Sequence, residues 1–179
     1  MVEHEKTSWI DSISIAISRV AMFIVAFIVA IMFYEVVMRY LFGKPTLWVN
    51  EMSLWTAGMV YLLAGVYVMQ QRGHIRIFIL YDMVPRNVQR LFDLLSTLFI
   101  CLFSAAIVWG AWGEAWDKMM RWETFGTAWD PPIPATMKPL VLVTVVLIAV
   151  QAVANLISDW GKEKEVHDLV EEVQQEYVD

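Results

Sequence analysis

Three charged residues near a short turn are the best candidates for chemistry in an otherwise apolar stretch. Glu35 and Arg39 are four residues apart, on one helix face and in the Glu-before-Arg order that favours pairing. Glu51 follows Arg39 by only 12 residues, across the turn. Arg39 is therefore expected to lie between two carboxylates. Charges beside a bilayer core are costly and are usually paired or functional.

Three interpretations of this cluster remain open from the sequence. It can be a structural clamp that fastens the first two helices, or a contact for a partner protein. It can also be an ion- or proton-conducting site built on Glu35. Against conduction, Arg39 favours the ionised form of Glu35. In addition, Glu35 lies near one membrane boundary, whereas coupling sites usually sit near the midplane.

Residues for other chemistry are sparse. A haem-binding bundle needs axial ligands at membrane depth, but His4, His74 and His167 all lie outside the apolar segments. Cys101 is the single cysteine, so the chain has no intrachain disulfide and no cysteine spacing for a metal. HExxH, GxSxG and phosphate-binding glycine motifs are absent. The sequence predicts no enzyme activity, no cofactor, no metal and no nucleic-acid partner.

The composition is that of a membrane protein. Of 179 residues, 59% are hydrophobic and 18% are charged, against about 25% charged in soluble domains. The mean hydropathy is +0.54. Residues 159–179 contain eight acidic and two basic residues, which accounts for the whole net charge of −6. Residues 162–179 are therefore predicted to form an acidic cytoplasmic tail.

Four transmembrane helices follow from the apolar segments. Residues 52–71, 94–113 and 139–158 are each free of charged residues, and 20 residues reach the ~30 Å of a hydrocarbon core. A shorter apolar segment lies between Arg19 and Arg39, whose heads can extend to the two interfaces. The predicted fold is all-α and integral to the membrane, with one domain over residues 1–161. Its spans are expected at about 18–40, 48–71, 90–116 and 137–159.

The loops predict the orientation of these spans. Eight Lys and Arg residues flank one side and five the other, which places both termini in the cytoplasm. Short interfacial amphipathic helices are also expected. Before the first span, apolar residues from Trp9 to Val20 recur at helical spacing, which fits either a surface helix or an extension of the span.

The second span has small residues at helical spacing. Gly58 and Gly65 are seven residues apart and Trp55 lies beside them in sequence, so one face allows another helix to approach closely. This face can pack inside the four-helix unit or receive a second membrane protein.

The run "RYLFGKPTLWVNEMSLWTAGMVYLLAGVYVMQQRGHIRI" resembles the small membrane subunit of tripartite ATP-independent periplasmic (TRAP) transporters, the DctQ-like family. The pattern is an arginine that ends the first helix, an aromatic residue before a glutamate that opens the second, a glycine within it, and a basic residue followed by "GHI". These residues are Arg39, Trp48, Glu51, Gly65, Arg72, Gly73 and His74.

The resemblance implies a non-catalytic subunit in the bacterial inner membrane. Its partners would be a large TRAP membrane subunit, a periplasmic substrate-binding protein and membrane lipids. The large subunit would use a sodium gradient to take up an organic acid or similar solute. Together, the charged cluster, the face of the second span and the family pattern give these candidate partner-interface or clamp residues: Glu35, Arg39, Trp48, Glu51, Trp55, Gly58, Gly65, Arg72 and His74. Arg121, Trp122 and Trp129, in the third loop, are candidates for contact with the binding protein.

Two alternatives of other classes remain at this point. One is an autonomous proton-coupled four-helix exporter that uses Glu35, and the other is a structural tetraspan assembly factor. Replacing Glu35 by Gln separates the exporter from a scaffold subunit, because only the exporter must lose all transport.

Overall fold

Four long helices make up nearly all of the described part of the chain. The computed structural model describes residues 9–71 and 84–160, and these two ranges contain no strand. The helices are α1, Trp9–Tyr40; α2, Trp48–Gln70; α3, Arg86–Met120; and α4, Ile133–Asp159. All four are long and apolar enough to span a bilayer. The all-α, four-span prediction is therefore confirmed, whereas the orientation of the termini stays a prediction.

The helix ends follow from local sequence. A span in lipid has to satisfy its backbone hydrogen bonds internally, which favours long uninterrupted helices. From Trp9 onward α1 is one continuous helix, so this stretch extends the first span. Beyond Tyr40, Gly43 adopts a φ of 65°, and the backbone N–H of Lys44 reaches back to Met38 O at 3.0 Å. The third helix, α3, begins directly after Pro85, and the backbone φ of this proline suits the start of a helix.

The helices pack in the order α1, α2, α4, α3. α2 lies between α1 and α4, and α3 packs principally on α4. We call the end that carries the loops 41–47 and 121–132 the turn end, and the opposite end the terminus end. α2 and α4 both run from the turn end to the terminus end, because Trp55 bonds Thr136 near their starts and Asn155 bonds Met69 near their ends.

Burial inside the chain is greatest on α4 and least on α3. Ala135, Leu142 and Ala152 of α4 are among the buried apolar residues. By contrast, Phe23 on α1 and Trp109 on α3 are 79% and 90% exposed. In a membrane-spanning chain, such exposed apolar side chains face lipid or another membrane protein.

Candidate functional site

The Glu35 carboxylate is the centre of a hydrogen-bonded cluster at the turn end. Its Oε1 accepts hydrogen bonds from Nε of Arg39 at 3.0 Å and from Nη2 at 2.6 Å. Its Oε2 accepts the backbone N–H of Thr46 at 2.9 Å and also the Thr46 hydroxyl. Glu35 is only 6% exposed. An ionised carboxylate has about four acceptor positions, so this group is close to fully satisfied.

This cluster closes the α1–α2 hairpin. Glu35 and Arg39 are on the last turns of α1, and Thr46 is two residues before the start of α2. An aromatic contact supports the same closure, since the rings of Tyr34 and Trp48 lie 6.2 Å apart with an interplanar angle of 32°. A single carboxylate therefore ties the end of one span to the start of the next.

The expected position of Arg39 between two carboxylates is not found. Its guanidinium forms an ion pair with Glu35 on its own helix, because both donor nitrogens reach the same oxygen atom at i, i+4 spacing. Glu51 lies in the first turn of α2 and is half-buried. Its Oε2 is buried and accepts no hydrogen bond from any described residue. Within the described part of the chain, one oxygen of the Glu51 carboxylate therefore has no donor.

Trp55, Gly58 and Gly65 all face α4. The indole Nε1 of Trp55 donates to Oγ1 of Thr136 at 2.9 Å. A Cβ placed on Gly58 would lie 2.7 Å from Cε of Met137 on α4, and one on Gly65 would lie 3.5 Å from Cδ1 of Ile148, also on α4. The small residues of α2 therefore serve internal packing, the first of the two alternatives that their spacing left open.

A second polar cluster, at the terminus end, was missed by sequence reasoning. Ser14 Oγ donates to Oε1 of Gln151 at 2.9 Å, and Nε2 of Gln151 donates to Oδ1 of Asn155 at 3.0 Å. Asn155 Nδ2 in turn donates to the backbone O of Met69 at 2.7 Å. Ser14, Gln151 and Asn155 are each 8% exposed or less. We call these residues the amide chain, and it links α1, α4 and α2.

The signal for the amide chain was present in the sequence. Gln151 and Asn155 are four residues apart in the uncharged segment 139–158. Amides inside a transmembrane helix hydrogen-bond across helices where they can. Their spacing therefore indicated a polar contact, although it could not identify Ser14 or Met69 as partners.

The three candidate residues for binding-protein contact lie in the 121–132 loop. Arg121 is exposed, Trp122 is 61% exposed and Trp129 is half-buried. Trp122 has a φ of 48°, an uncommon value for a bulky residue. Further along the loop, the backbone N–H of Gly126 donates to Oδ1 of Asp130 at 2.7 Å. The loop is thus a compact turn that displays one strained tryptophan.

Two ion pairs stabilise this region: one joins the loop to α3, and the other joins α3 to α4. Glu123 accepts a hydrogen bond from Lys118, and this bond, together with the positive charge of Lys118, lowers the pKa of the Glu123 carboxyl below its usual value. Lys138 on α4 pairs with Glu114 on α3. Both pairs link neighbouring segments at the turn end.

The hydrogen bonds of the site connect helices with one another and with the turns between them. Within residues 9–71 and 84–160, no group of three His, Cys, Asp or Glu side chains is placed to hold a metal ion. Arg72, His74 and the tail at 162–179 lie outside the described residues.

The four bilayer-length helices within residues 9–71 and 84–160 define a multi-pass membrane protein. Residues 28–162 match the family described as "Tripartite ATP-independent periplasmic transporters, DctQ component". The chain belongs to this family of TRAP transporter small permease subunits, and it is a multi-pass inner membrane protein.

One similar protein is the "C4-dicarboxylate TRAP transporter small permease protein DctQ" of Vibrio cholerae serotype O1 (strain ATCC 39315 / El Tor Inaba N16961). The two sequences are 24% identical over 135 residues, which is 73% of this chain and 58% of the relative. The chain therefore spans somewhat more than half the length of that relative. Family membership, more than geometry, decides against the exporter and the assembly factor.

Proposed function

We propose that this chain is the non-catalytic scaffold subunit of a TRAP transporter, with both termini in the cytoplasm. It holds a large permease subunit in a fixed position while that subunit uses a sodium gradient to move an organic acid inward. A periplasmic binding protein delivers the solute. These roles rest on family membership and on the arrangement of polar groups.

The observation that best supports the proposal is the hydrogen bonding of the Glu35 carboxylate. Its carboxylate accepts hydrogen bonds from Arg39 and Thr46 on both oxygens. A group that carries a proton or a sodium ion has to exchange partners during each cycle. Glu35 instead closes a hairpin, which is a scaffold role.

Two surfaces at the turn end are suited to the partners. Glu51 is half-buried in the first turn of α2, so its accessible part can meet a donor from the large subunit. In the 121–132 loop, Arg121 and Trp122 are exposed, as contact with the binding protein requires. Arg72 and His74 remain proposed contacts on the sequence pattern alone.

A C4-dicarboxylate is the first substrate to test. That substrate is named for the Vibrio cholerae relative, and this chain does not itself carry the transport site in our proposal. Other organic acids form the comparison set, because the binding protein and the large subunit select the solute.

The test is to purify the tagged chain from its native membranes in mild detergent and to identify co-purifying proteins by mass spectrometry. We expect a large polytopic membrane protein in near-equal amount. Uptake of labelled C4-dicarboxylates is then measured with and without a sodium gradient. Recovery of the chain alone or as a homodimer would refute the scaffold proposal.

A Glu35→Gln variant separates a scaffold from a conducting role. Transport is divided by the amount of assembled complex. A scaffold variant changes the amount of complex and keeps transport per complex near wild type. Loss of transport per complex, at normal assembly, would show that Glu35 takes part in conduction.

A further inference from the structure

An open groove of about 400 Å³ lies between α1 and α2, in the half of the bundle nearest the terminus end. Its floor includes Ala21, which is buried, and Ala64. Met22, Val25 and Val60 supply apolar walls. Neither the hairpin cluster around Glu35 nor the amide chain contributes a residue to it.

The groove runs along the helix axes. On α1 its lining extends from Ile15 to Val25, and on the antiparallel α2 it extends from Tyr67 back over seven residues to Val60. Seven residues of helix correspond to about 10 Å. The groove is therefore a slot directed from the terminus end towards the middle of the bilayer.

The polar residues of the groove lie in its half nearest the terminus end. Ser18 and Arg19 are three and four residues from the lining limit at Ile15, Tyr67 is the limit on α2, and the remainder of the described lining is apolar apart from the backbone. Arg19 is exposed, and its guanidinium makes no ion pair or hydrogen bond with the described residues. The Ser18 hydroxyl donates to Ile15 O at 2.8 Å, which leaves its oxygen available as an acceptor.

We infer that this groove binds one anionic glycerophospholipid, with an acyl chain along Ala21 and Ala64 and the phosphate at Arg19. A free cation at the boundary of an apolar slot complements a phosphate joined to a hydrocarbon chain. The inference is independent of the transport role.

Native mass spectrometry of the purified full chain tests the inference. Phosphatidylglycerol and the zwitterionic phosphatidylethanolamine are added at equal concentration, and the one-lipid adducts are counted. Wild type is expected to retain mainly phosphatidylglycerol. Arg19→Gln should reduce phosphatidylglycerol retention about tenfold, because it removes a hydrogen bond to a charged group. Ala64→Leu should fill the slot and reduce retention of both lipids.

Matched controls are available on other surfaces. Lys44→Gln removes an exposed cation at the turn end, and Ala106→Leu enlarges an exposed alanine of α3. Both should retain phosphatidylglycerol as wild type does. If Arg19→Gln or Ala64→Leu retains it as well as its control, the inference is wrong.

A photoreactive p-benzoylphenylalanine at position 22 identifies the occupant in native membranes. A phospholipid adduct is the expected product. A cross-link to a protein segment at that position would show that another chain fills the groove, and this result would overturn the inference.

Discussion

The two ends of the bundle are held by different kinds of polar group. At the turn end, the Glu35 carboxylate meets a guanidinium and two donors of Thr46. At the terminus end, the amide chain contains only a hydroxyl, two amides and a backbone carbonyl. The first joins residues at most 11 apart in sequence, whereas Ser14 and Gln151 are 137 apart.

This difference separates local from long-range attachment. The Arg39 side chain is 54% exposed although Glu35 is buried, so the charge pair lies at the boundary of the bundle. The members of the amide chain are buried, where neutral groups avoid the cost of desolvating a charge. A charge therefore closes a hairpin near the surface, and neutral amides fix distant helices inside the bundle.

The largest expected effect is that of Glu35→Ala. This change leaves the Arg39 guanidinium and the Thr46 donors without their acceptor, and unsatisfied donors cost more than the bonds themselves contribute. Of all these variants, Glu35→Ala should show the greatest fall in melting temperature, as measured by circular dichroism in one detergent. Glu35→Gln, which keeps an acceptor oxygen, is the control and should fall less. Wild-type melting of Glu35→Ala would contradict the clamp.

Gly58→Leu tests the α2–α4 contact between the two ends. The Cβ position already lies 2.7 Å from Met137, so a larger side chain should destabilise the protein by about 1–3 kcal/mol. Gly65→Ala is the matched control, because its Cβ would make an ordinary 3.5 Å contact. Chemical unfolding in mixed micelles compares the two variants, and equal stability would show that α2 and α4 are not tightly packed at Gly58.

Gln151→Leu should destabilise the terminus end by roughly 0.6–1.7 kcal/mol, the range for interhelical hydrogen bonds in membranes. The change removes the acceptor of Ser14 and the donor to Asn155. The same unfolding assay measures it. If Gln151→Leu lowered the stability more than Glu35→Ala, the amide chain would contribute more to stability than the Glu35 cluster, contrary to expectation.

Thr144→Val is the control for Gln151→Leu. Its hydroxyl is buried on α4 and has no hydrogen-bond partner among the residues that the structure describes. An isosteric methyl removes that unsatisfied group, so the variant should be as stable as wild type or slightly more stable. Destabilisation would indicate that the hydroxyl has a partner after all.

The smallest expected effect is that of Glu123→Gln in the 121–132 loop. Folding lowers the pKa of Glu123 through Lys118. The ion pair therefore contributes its stability above the usual glutamate pKa of about 4.3. That contribution is lost as the pH falls through the lowered value. Melting curves of wild type and variant should differ slightly at pH 7 and converge in acid. A constant difference across pH would rule out the ion pair as its source.

The part of the site that could be predicted is the part that depends on local spacing. Glu35 and Arg39 pair because i, i+4 residues share a helix face, and the four spans follow from uncharged length. The spacing of Gly58 and Gly65 predicted a close helix contact but not that α4 makes it. The hydrogen bond from Ser14 to Gln151 depends on how far α1 and α4 are shifted relative to each other along the membrane normal. Only the packing of the helices sets that shift.

The helix order also has a consequence for biogenesis. α3 is synthesised before α4, yet α4 supplies its principal contact and separates it from α2. During translation, the α1–α2 hairpin can assemble once α2 has been synthesised, because its two helices follow each other in the chain. α3 instead lacks its principal packing partner until α4, the last span, has left the translocon. A chain stalled before Ile133 would therefore leave a 35-residue helix without its main neighbour, as a target for membrane quality control.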